Sequence, residues 1–546
     1  MTELIEYGDV EFHTNAEIPF LHLCSNASEN KDEKCDNEFC KGVNVINENE
    51  IFGIIKLKTK KTSINSTPTL FLFTIDTTGS MDENAYKNIT KLQVVKQTFR
   101  CMINYLSKLE TTIYIRVHSF NEDVSVIVDN VLIKQDNVSE IISKINDLHA
   151  DKSTNIGEAL HKANDTMKQY YSEFPNHQIV HIFMTDGQAT TGITKDDDLC
   201  KIVDTKFTNN FVGFGLDHNA LLMKKLSDLD NSEYLFVDNM ENTTLIYGET
   251  IHRYLYSTIK NSEFVIENGL IYDWKTNTWN NKLIEPIIAS ETEKIYHIKT
   301  SNVKDIEVKL YGIPSNDCTN NLQLLTVMDV IPDLIDMDDD TTIPNDLSKY
   351  LFRQKTQELL HHSKNIMQQR YNETHTFKKE LKYFFKIMRE YMKKNNLLKD
   401  KFMNTLCDDI CITYRSFDTS FGLMYMTARS TSQGRQQTYN VTPMSRPKNL
   451  PNTFDEPCLP PSLLDEDQPL LFKNLSINTP LKLKRNNAKY NPIPLPENEE
   501  QICEYPVVEE IDSDSDIDNY TMTNDNTSCY ANESTLYTMH TMSQQM

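Results

Sequence analysis

The sequence predicts an α/β fold: a doubly wound, mostly parallel sheet inserted in a β-sandwich-like unit, followed by a helical region and a disordered acidic tail. Three observations predict it. Leu70–Ile75 is a continuous apolar run, as expected of a strand buried on both faces, and Gln178–Met184 reads as another buried strand. From Thr69 to about Lys260, strands alternate with helical patterns, the mark of a mostly parallel sheet covered on both sides. After Lys260 strand patterns recur without helices between them.

Taken in chain order, Ile5–Phe12 and Ile51–Leu57 read as strands within an N-terminal segment, 1–68. The α/β domain spans 69–260. Its first strand, Leu70–Ile75, is followed by a helix with Leu92, Val95, Phe99, Met102, Ile103 and Leu106 at spacings of three and four. Next come the strand Thr112–His118 and a hairpin partner at Val124–Val128. Helices follow over Val138–Leu148 and Ile156–Tyr171, then the buried strand Gln178–Met184. Leu199–Phe207 reads as a short helix, Asn210–Gly215 as a strand, Ala220–Leu229 as a helix, Tyr234–Val237 as a strand and Thr243–Ile259 as a helix. The β-rich unit, 261–340, holds Phe264–Ile266, Leu270–Trp274, Ile295–Thr300 and Ile306–Tyr311. Neither this unit nor 1–68 has enough strands to bury a face, so 1–68 is expected to pair with 261–315. The helical region, 345–436, contains one helix around Leu347–Leu360 and a second carrying Phe377, Leu381, Phe384, Phe385, Met388, Tyr391 and Met392 as a packing stripe. Ser432–Gln436 reads as a polar loop ending the folded part. Residues 437–546 lose periodicity, gain prolines and acidic runs, and read as a disordered acidic tail, with Ser513 and Ser515 among its aspartates.

Composition excludes several classes. Among 546 residues, 79 Asp+Glu against 55 Lys+Arg leave a net charge of −24, which disfavours general nucleic-acid binding. No window approaches the ~18 apolar residues of a bilayer-spanning helix. The acidic N-terminus lacks the order of a signal peptide. The 11 cysteines are odd in number and scattered, which fits free thiols and a cytoplasmic, reducing compartment. Cys24, Cys35 and Cys40 lie in a polar stretch expected to be a solvated loop, with a zinc site as the alternative. The abundance of Asn, Ile and Lys suggests an AT-rich genome.

One constellation carries chemistry. The first buried strand runs into Asp76-Thr77-Thr78-Gly79-Ser80-Met81. A carboxylate followed at alternate positions by two hydroxyls turns three oxygens toward one point, and hard divalent cations take such ligands. Thr154 stands just before a helix, and Thr185-Asp186-Gly187 follows the second buried strand. All three segments lie at carboxyl ends of strands or in adjacent loops, where one crevice can gather them.

Asp76-x-Thr78-x-Ser80, Thr154 and Asp186-Gly187 resemble the metal-ion-dependent adhesion site of the von Willebrand factor type A domain, over roughly 69–260. The family more often has Ser where this chain has Thr78, which keeps the hydroxyl. The resemblance implies that Asp76, Thr78, Ser80, Thr154 and Asp186 hold one Mg²⁺ or Mn²⁺. Thr78 and Ser80 would coordinate directly, Asp76 and Asp186 partly through water, and Thr154 according to ligand state. Gly79, Asn155 and Gly187 would face the partner. With few direct carboxylates the ion stays electrophilic, so a partner Asp or Glu can complete its shell. The expected function is therefore non-catalytic capture of a protein partner, with no role for nucleic acid or membrane.

Arg415–Phe417, Phe421–Met426, Ala428-Arg429 and Ser432–Gln436 look like the C-terminal portion found beside type A domains in some protist, fungal and giant-virus proteins, there sometimes fused to Hint or ubiquitin-ligase modules. Neither a Hint Cys-plus-His block nor a RING-type array is present in the sequence. Asp76-Thr-Thr-Gly-Ser80 also resembles the Asp-Thr-Gly-Ser loop of aspartic proteases, but with one extra residue and no second such loop. No His-Glu-x-x-His pattern occurs, and Cys407-x3-Cys411 reads as helix packing. The alternatives to partner capture are a metal-independent scaffold recruiting through the helical region and tail, and a hydrolase using Asp76 and Asp186.

Overall fold

The computed structural model describes residues 4–15, 50–86, 89–215, 218–237, 240–315, 317, 321–335, 341–369, 374–417, 419, 422–436, 516–518, 520, 530 and 532–543. Cys24, Cys35, Cys40, Ser513 and Ser515 lie outside the described residues.

The α/β domain is built on a six-stranded sheet. Its strands are β3 (Thr69–Asp76), β4 (Ile113–Phe120), β5 (Val124–Leu132), β6 (Gln178–Thr185), β7 (Thr208–Phe214) and β8 (Ser232–Val237), in the order β8-β7-β6-β3-β4-β5. All neighbours are parallel except β4 and β5. The chain moves one way from β3 to β4 and β5, and returns to the other side of β3 for β6, β7 and β8. The switch point of the sheet therefore lies between β3 and β6, where such sheets open a crevice.

β3 shows why the central strand is apolar throughout. Phe71, Phe73 and Ile75 pack on helices α1 (Lys91–Leu106) and α6 (Met240–Leu255), through Val95, Phe99, Met102 and Ile251. Leu70 and Leu72 point oppositely and pack on α3 (Ile156–Glu173) through Ala163, Met167 and Tyr170. The period-two alternation is preserved, but both faces are covered. α2 (Val138–Asn146) packs beside α1, while α4 (Asp196–Cys200) and α5 (Ala220–Asp228) lie on the α3 side. Two helices are shorter than the sequence suggests. The helix expected over Leu199–Phe207 ends at Cys200, and the one expected to reach Ile259 ends at Leu255. In the second case the β-branched Thr258 and Ile259 join a strand instead.

The α/β domain is inserted between β2 (Ile51–Thr59) and β9 (Ser257–Glu267) of a β-sandwich. One sheet has the order β11-β10-β13-β2-β1-β16. It comprises β1 (Ile5–Phe12), β2, β10 (Leu270–Asp273), β11 (Thr278–Asn280), β13 (Glu293–Thr300) and β16 (Asp329–Val330). In its register Val10 lies opposite Ile55, and Ile55 opposite Tyr296. The other sheet has the order β12-β9-β14-β15, with β12 (Lys282–Ala289), β14 (Glu307–Pro314) and β15 (Gln323–Val327). Val10, Ile55, Leu57 and Ile298 meet Ile259, Phe264, Ile288 and Leu310 between the sheets. β12 was not legible because Pro286 interrupts it; the proline is tolerated because β12 is an edge strand.

The opposite face of the first sheet, through Phe52 and Ile54, is covered by the helical region. Four helices form it: the two expected from their apolar stripes, α7 (Ser348–Gln369) and α8 (Thr374–Lys394), then α9 (Lys401–Ser416), which carries Cys407 and Cys411, and α10 (Gly422–Arg435). The reading of Ser432–Gln436 as a polar loop is corrected: residues 432–435 are the last turn of α10. Its polar side chains are buried against partners. Gln433 donates to Asp409 Oδ2 at 2.6 Å, and Arg429 and Arg435 pair with Asp409 and Glu233. Cys407 and Cys411 are buried free thiols on α9.

The disordered-tail expectation for 437–546 is corrected at its far end. Residues 437–515 lie outside the described residues, but Ile517 and Tyr520 are buried against the helical region. α11 (Glu533–Ser543) docks on α1 and α6. Asn532 caps it, accepting from Thr535 N at 2.7 Å, and Met542 is fully buried in the α/β core. Thr538 meets His252 Nδ1 at 2.8 Å. At 11 residues, most of them polar, so short a segment leaves little periodic signal.

Candidate metal centre

β3 and β6 lie side by side in parallel, with Ile75 opposite Met184, so Asp76 and Thr185 end adjacent strands. A 3₁₀ turn, Gly79–Asp82, follows β3. Met81 is fully buried and anchors it, Met81 N donates to Thr78 O at 3.0 Å, and Glu83 N donates to Ser80 O at 3.0 Å. The neighbouring loop latches this turn from outside: Asp151 N donates to Thr77 O at 3.0 Å and Gly79 N to Lys152 O at 3.1 Å. α1 then starts at a capping box, in which Thr90 Oγ1 accepts from Gln93 N and Gln93 Oε1 accepts from Thr90 N.

The predicted ligands form one connected chain of oxygens. Asp76 is fully buried. Its Oδ1 accepts from Thr78 N at 2.9 Å, and its Oδ2 accepts from the Thr185 hydroxyl at 2.6 Å. Thr78 Oγ1 lies 3.1 Å from Ser80 Oγ, and the Ser80 hydroxyl donates to Asp186 Oδ1 at 2.8 Å. Thr154 is held beside them by the loop after β6, its carbonyl accepting from Thr190 N at 2.9 Å and Thr191 N at 3.2 Å. A Cβ placed on Gly187 would stand 3.7 Å from Ser80 Oγ and 3.8 Å from Thr154 Oγ1, so both hydroxyls border the same small space. All five expected ligands are thus brought together. Gly79 is exposed at the rim, with Gly187 and Asn155 partly exposed. Asn155 has structural work there: its side chain caps α3, accepting from Glu158 N at 3.2 Å, and donates to Glu122 O at 3.2 Å.

Three groups were missed by sequence reasoning. Thr185 locks Asp76. Lys91, its side chain only 7% exposed, donates to Asp186 Oδ2 at 2.9 Å, and Glu83 accepts from the same ammonium at 2.8 Å. The signal was available: Lys91 stands four residues before Val95, on the helix face that is otherwise buried, where a lysine requires a partner.

Burial and the neighbouring Asp186 carboxylate push Asp76 up to about 6, against the Thr185 and Thr78 hydrogen bonds. Burial works to lower Lys91, but the bonds to Glu83 and Asp186 outweigh it and hold the ammonium above its ordinary range. Two neighbouring buried carboxylates, fronted by three hydroxyls, suit a hard cation with an incomplete protein shell. Among the described residues no group of three or more His, Cys, Asp or Glu is placed to hold a metal, so any such ion here depends on hydroxyl oxygens.

Residues 71–188 match the family model of the von Willebrand factor type A domain. No curated protein sequence compared with the chain matches it. Among solved structures, the chain is similar to a von Willebrand factor type A protein from Catenulispora acidiphila, at 14% identity and a TM-score of 0.48, over 70% of this chain and 92% of that one. It is also similar to the ArnB paralog VWA2 from Sulfolobus acidocaldarius, at 13% identity and 0.44, over 70% and 94%. Proximal thread matrix protein 1 from the mussel byssus, with a zinc-occupied MIDAS motif, is similar at 15% identity and 0.30, over 38% and 51%. The parallel sheet and its switch-point crevice agree with the match over residues 71–188, and the α/β domain has a von Willebrand factor type A-like fold.

Proposed function

We propose that the domain is a non-catalytic protein-binding module that captures an Asp or Glu side chain of a protein partner through Mg²⁺ or Mn²⁺. Asp76, Thr78, Ser80, Thr154 and Asp186 would hold the ion, which would supply an electrophilic position for the partner carboxylate. The observation that carries this reading is the continuous contact from Asp76 through Thr78 and Ser80 to Asp186, at the floor of a crevice whose rim is glycine-bordered. The chain's residues orient the oxygens and exclude bulk water: Asp76 and Asp186 are fully buried, and Gly79 and Gly187 leave room for the incoming group.

No enzymatic turnover is part of this reading, nor any nucleic-acid or membrane partner. No described helix is long and apolar enough to cross a membrane. The buried thiols of Cys101, Cys407 and Cys411 support a cytoplasmic setting and the intracellular type of this domain. The resemblance of α10 and its surroundings to the regions beside type A domains of protists, fungi and giant viruses belongs to the same proposal.

One observation favours a metal-independent scaffold instead: Lys91 already supplies a positive charge to Asp186. Pull-down from a lysate with the purified protein, in Mg²⁺ and then in EDTA, separates the two. Partners retained only with Mg²⁺, and lost with Asp186→Asn, support metal-bridged capture. Partners retained equally in EDTA overturn it in favour of the scaffold.

A further inference from the structure

Asp186 is fully buried and divides its two oxygens between different tasks. Oδ1 accepts from Ser80, on the crevice side, while Oδ2 accepts from the Lys91 ammonium at 2.9 Å. That ammonium is itself held from behind. Its own backbone N–H donates to Glu83 O at 2.9 Å, and its Nζ donates to Glu83 Oε2 at 2.8 Å. Glu83 is 61% exposed on its side chain, so solvent screens it, whereas Lys91 and Asp186 face each other out of water.

We infer that Lys91 is the resident counter-cation of the crevice, a positioning residue that keeps the metal-free site folded and lowers its affinity for a divalent ion. This deepens the metal-bridged reading above and rests on it. The charge count states the consequence. Asp76 and Asp186 carry −2 and Lys91 returns +1, giving −1 for the buried set. A bound divalent ion takes that set to +1, which attracts a partner carboxylate. Without Lys91 the loaded set would be neutral, with less pull on the partner and a tighter grip on the ion. Without both Lys91 and the ion, two carboxylates would be buried with no opposite charge beside them, an arrangement proteins avoid.

The test uses the full-length protein and Mn²⁺ alone as probe, at one neutral pH. Parent, Lys91→Met, Lys91→Gln and Lys91→Arg are compared by calorimetric titration and by melting in EDTA. Lys91→Met is expected to melt lower in EDTA by roughly 5 °C or more, because a buried pair is broken. It is expected to bind Mn²⁺ about tenfold or more tighter, because a positive charge no longer opposes the ion across the shared carboxylate. Mn²⁺ should restore its melting temperature, and Lys91→Arg should behave as the parent. If Lys91→Met does not fold, Lys91→Gln, which keeps a hydrogen-bond donor, carries the same expectations. A folded variant that binds Mn²⁺ as the parent does, or more weakly, overturns the inference while leaving metal capture standing. Absence of binding in the parent and in every variant overturns both. Binding in Lys91→Met but not in the parent supports the inference and overturns the proposed function.

Discussion

Glu233 offers a demanding test of how the chain is held together. It sits on β8, 3% exposed, where the α/β domain meets α6 and α10. Arg253 from α6 forks onto it, with Nη1 at 2.9 Å from Oε2 and Nη2 bonded to Oε1, and Arg435 Nε from α10 approaches Oε2 at 3.2 Å. Tyr254 OH and Asn210 Oδ1 complete the fork by meeting Arg253 Nη2 at 2.9 and 3.3 Å. Burial works to raise this carboxyl, but the two guanidiniums outweigh it and hold it down at about 2, against an ordinary value of 4.5. At ~1.4 kcal/mol per pKa unit, that depression corresponds to roughly 3 kcal/mol of stability at neutral pH. The sign follows from the depressed value: the contribution is complete above the unfolded-state pKa of 4.5 and lost as pH falls toward 2. Removing one partner of a buried pair costs about 3–5 kcal/mol by a separate measure, and the two agree. Glu233→Gln is therefore expected to lower the melting temperature of the α/β domain by roughly 10 °C at pH 7. It should also weaken the docking of α10, seen as faster hydrogen exchange over 422–435. A loss below about 1 kcal/mol would refute the reasoning, because it would mean that Arg253 and Arg435 are satisfied without the carboxylate.

Three further outcomes are expected. Gly187→Ala should fold normally, since its methyl would meet Ser80 Oγ and Thr154 Oγ1 at ordinary distances of 3.7 and 3.8 Å, yet it should reduce Mn²⁺ binding by about tenfold by crowding the space the hydroxyls share; unchanged titration would contradict the placement of the site. His181 donates from Nδ1 to Asn209 Oδ1 and accepts at Nε2 from the Thr74 hydroxyl, and burial lowers it to about 4, against the Asn209 bond. It therefore favours the fold fully above pH 6.5 and loses up to roughly 3 kcal/mol as pH falls through 4, so the parent's stability should fall more steeply with acid than that of His181→Gln in paired denaturation curves. Met542→Ala empties a fully buried position where α11 meets α1 and α6, at a cost of roughly 2–4 kcal/mol, and limited proteolysis should then cut the C-terminal helix faster than in the parent.

The parts legible in the sequence were those in which apolar pattern and backbone chemistry agree. β3 and β6 are apolar on both faces, so their strands and the loops beyond them could be placed, and with them Asp76, Thr78, Ser80 and Asp186. α1 was readable from its stripe, Leu92 to Leu106. Elements held by polar burial were not readable. α10 buries Arg429, Gln433 and Arg435 because Asp409 and Glu233 await them, and partners more than a hundred residues away in the case of Glu233 leave no local signal. Lys91 differs: its place on the buried face of α1 signals that it needs a partner, but only the fold shows that the partner is Asp186. β12 hid behind Pro286, and α11 behind its shortness.

Calorimetric titration of Mn²⁺ into the full-length parent and into Asp76→Asn/Asp186→Asn, with circular dichroism to show that both are folded, tests the central claim most directly. One saturable site in the parent and none in the variant is the result the account predicts. Equal titration of both, or no heat in either, would contradict it.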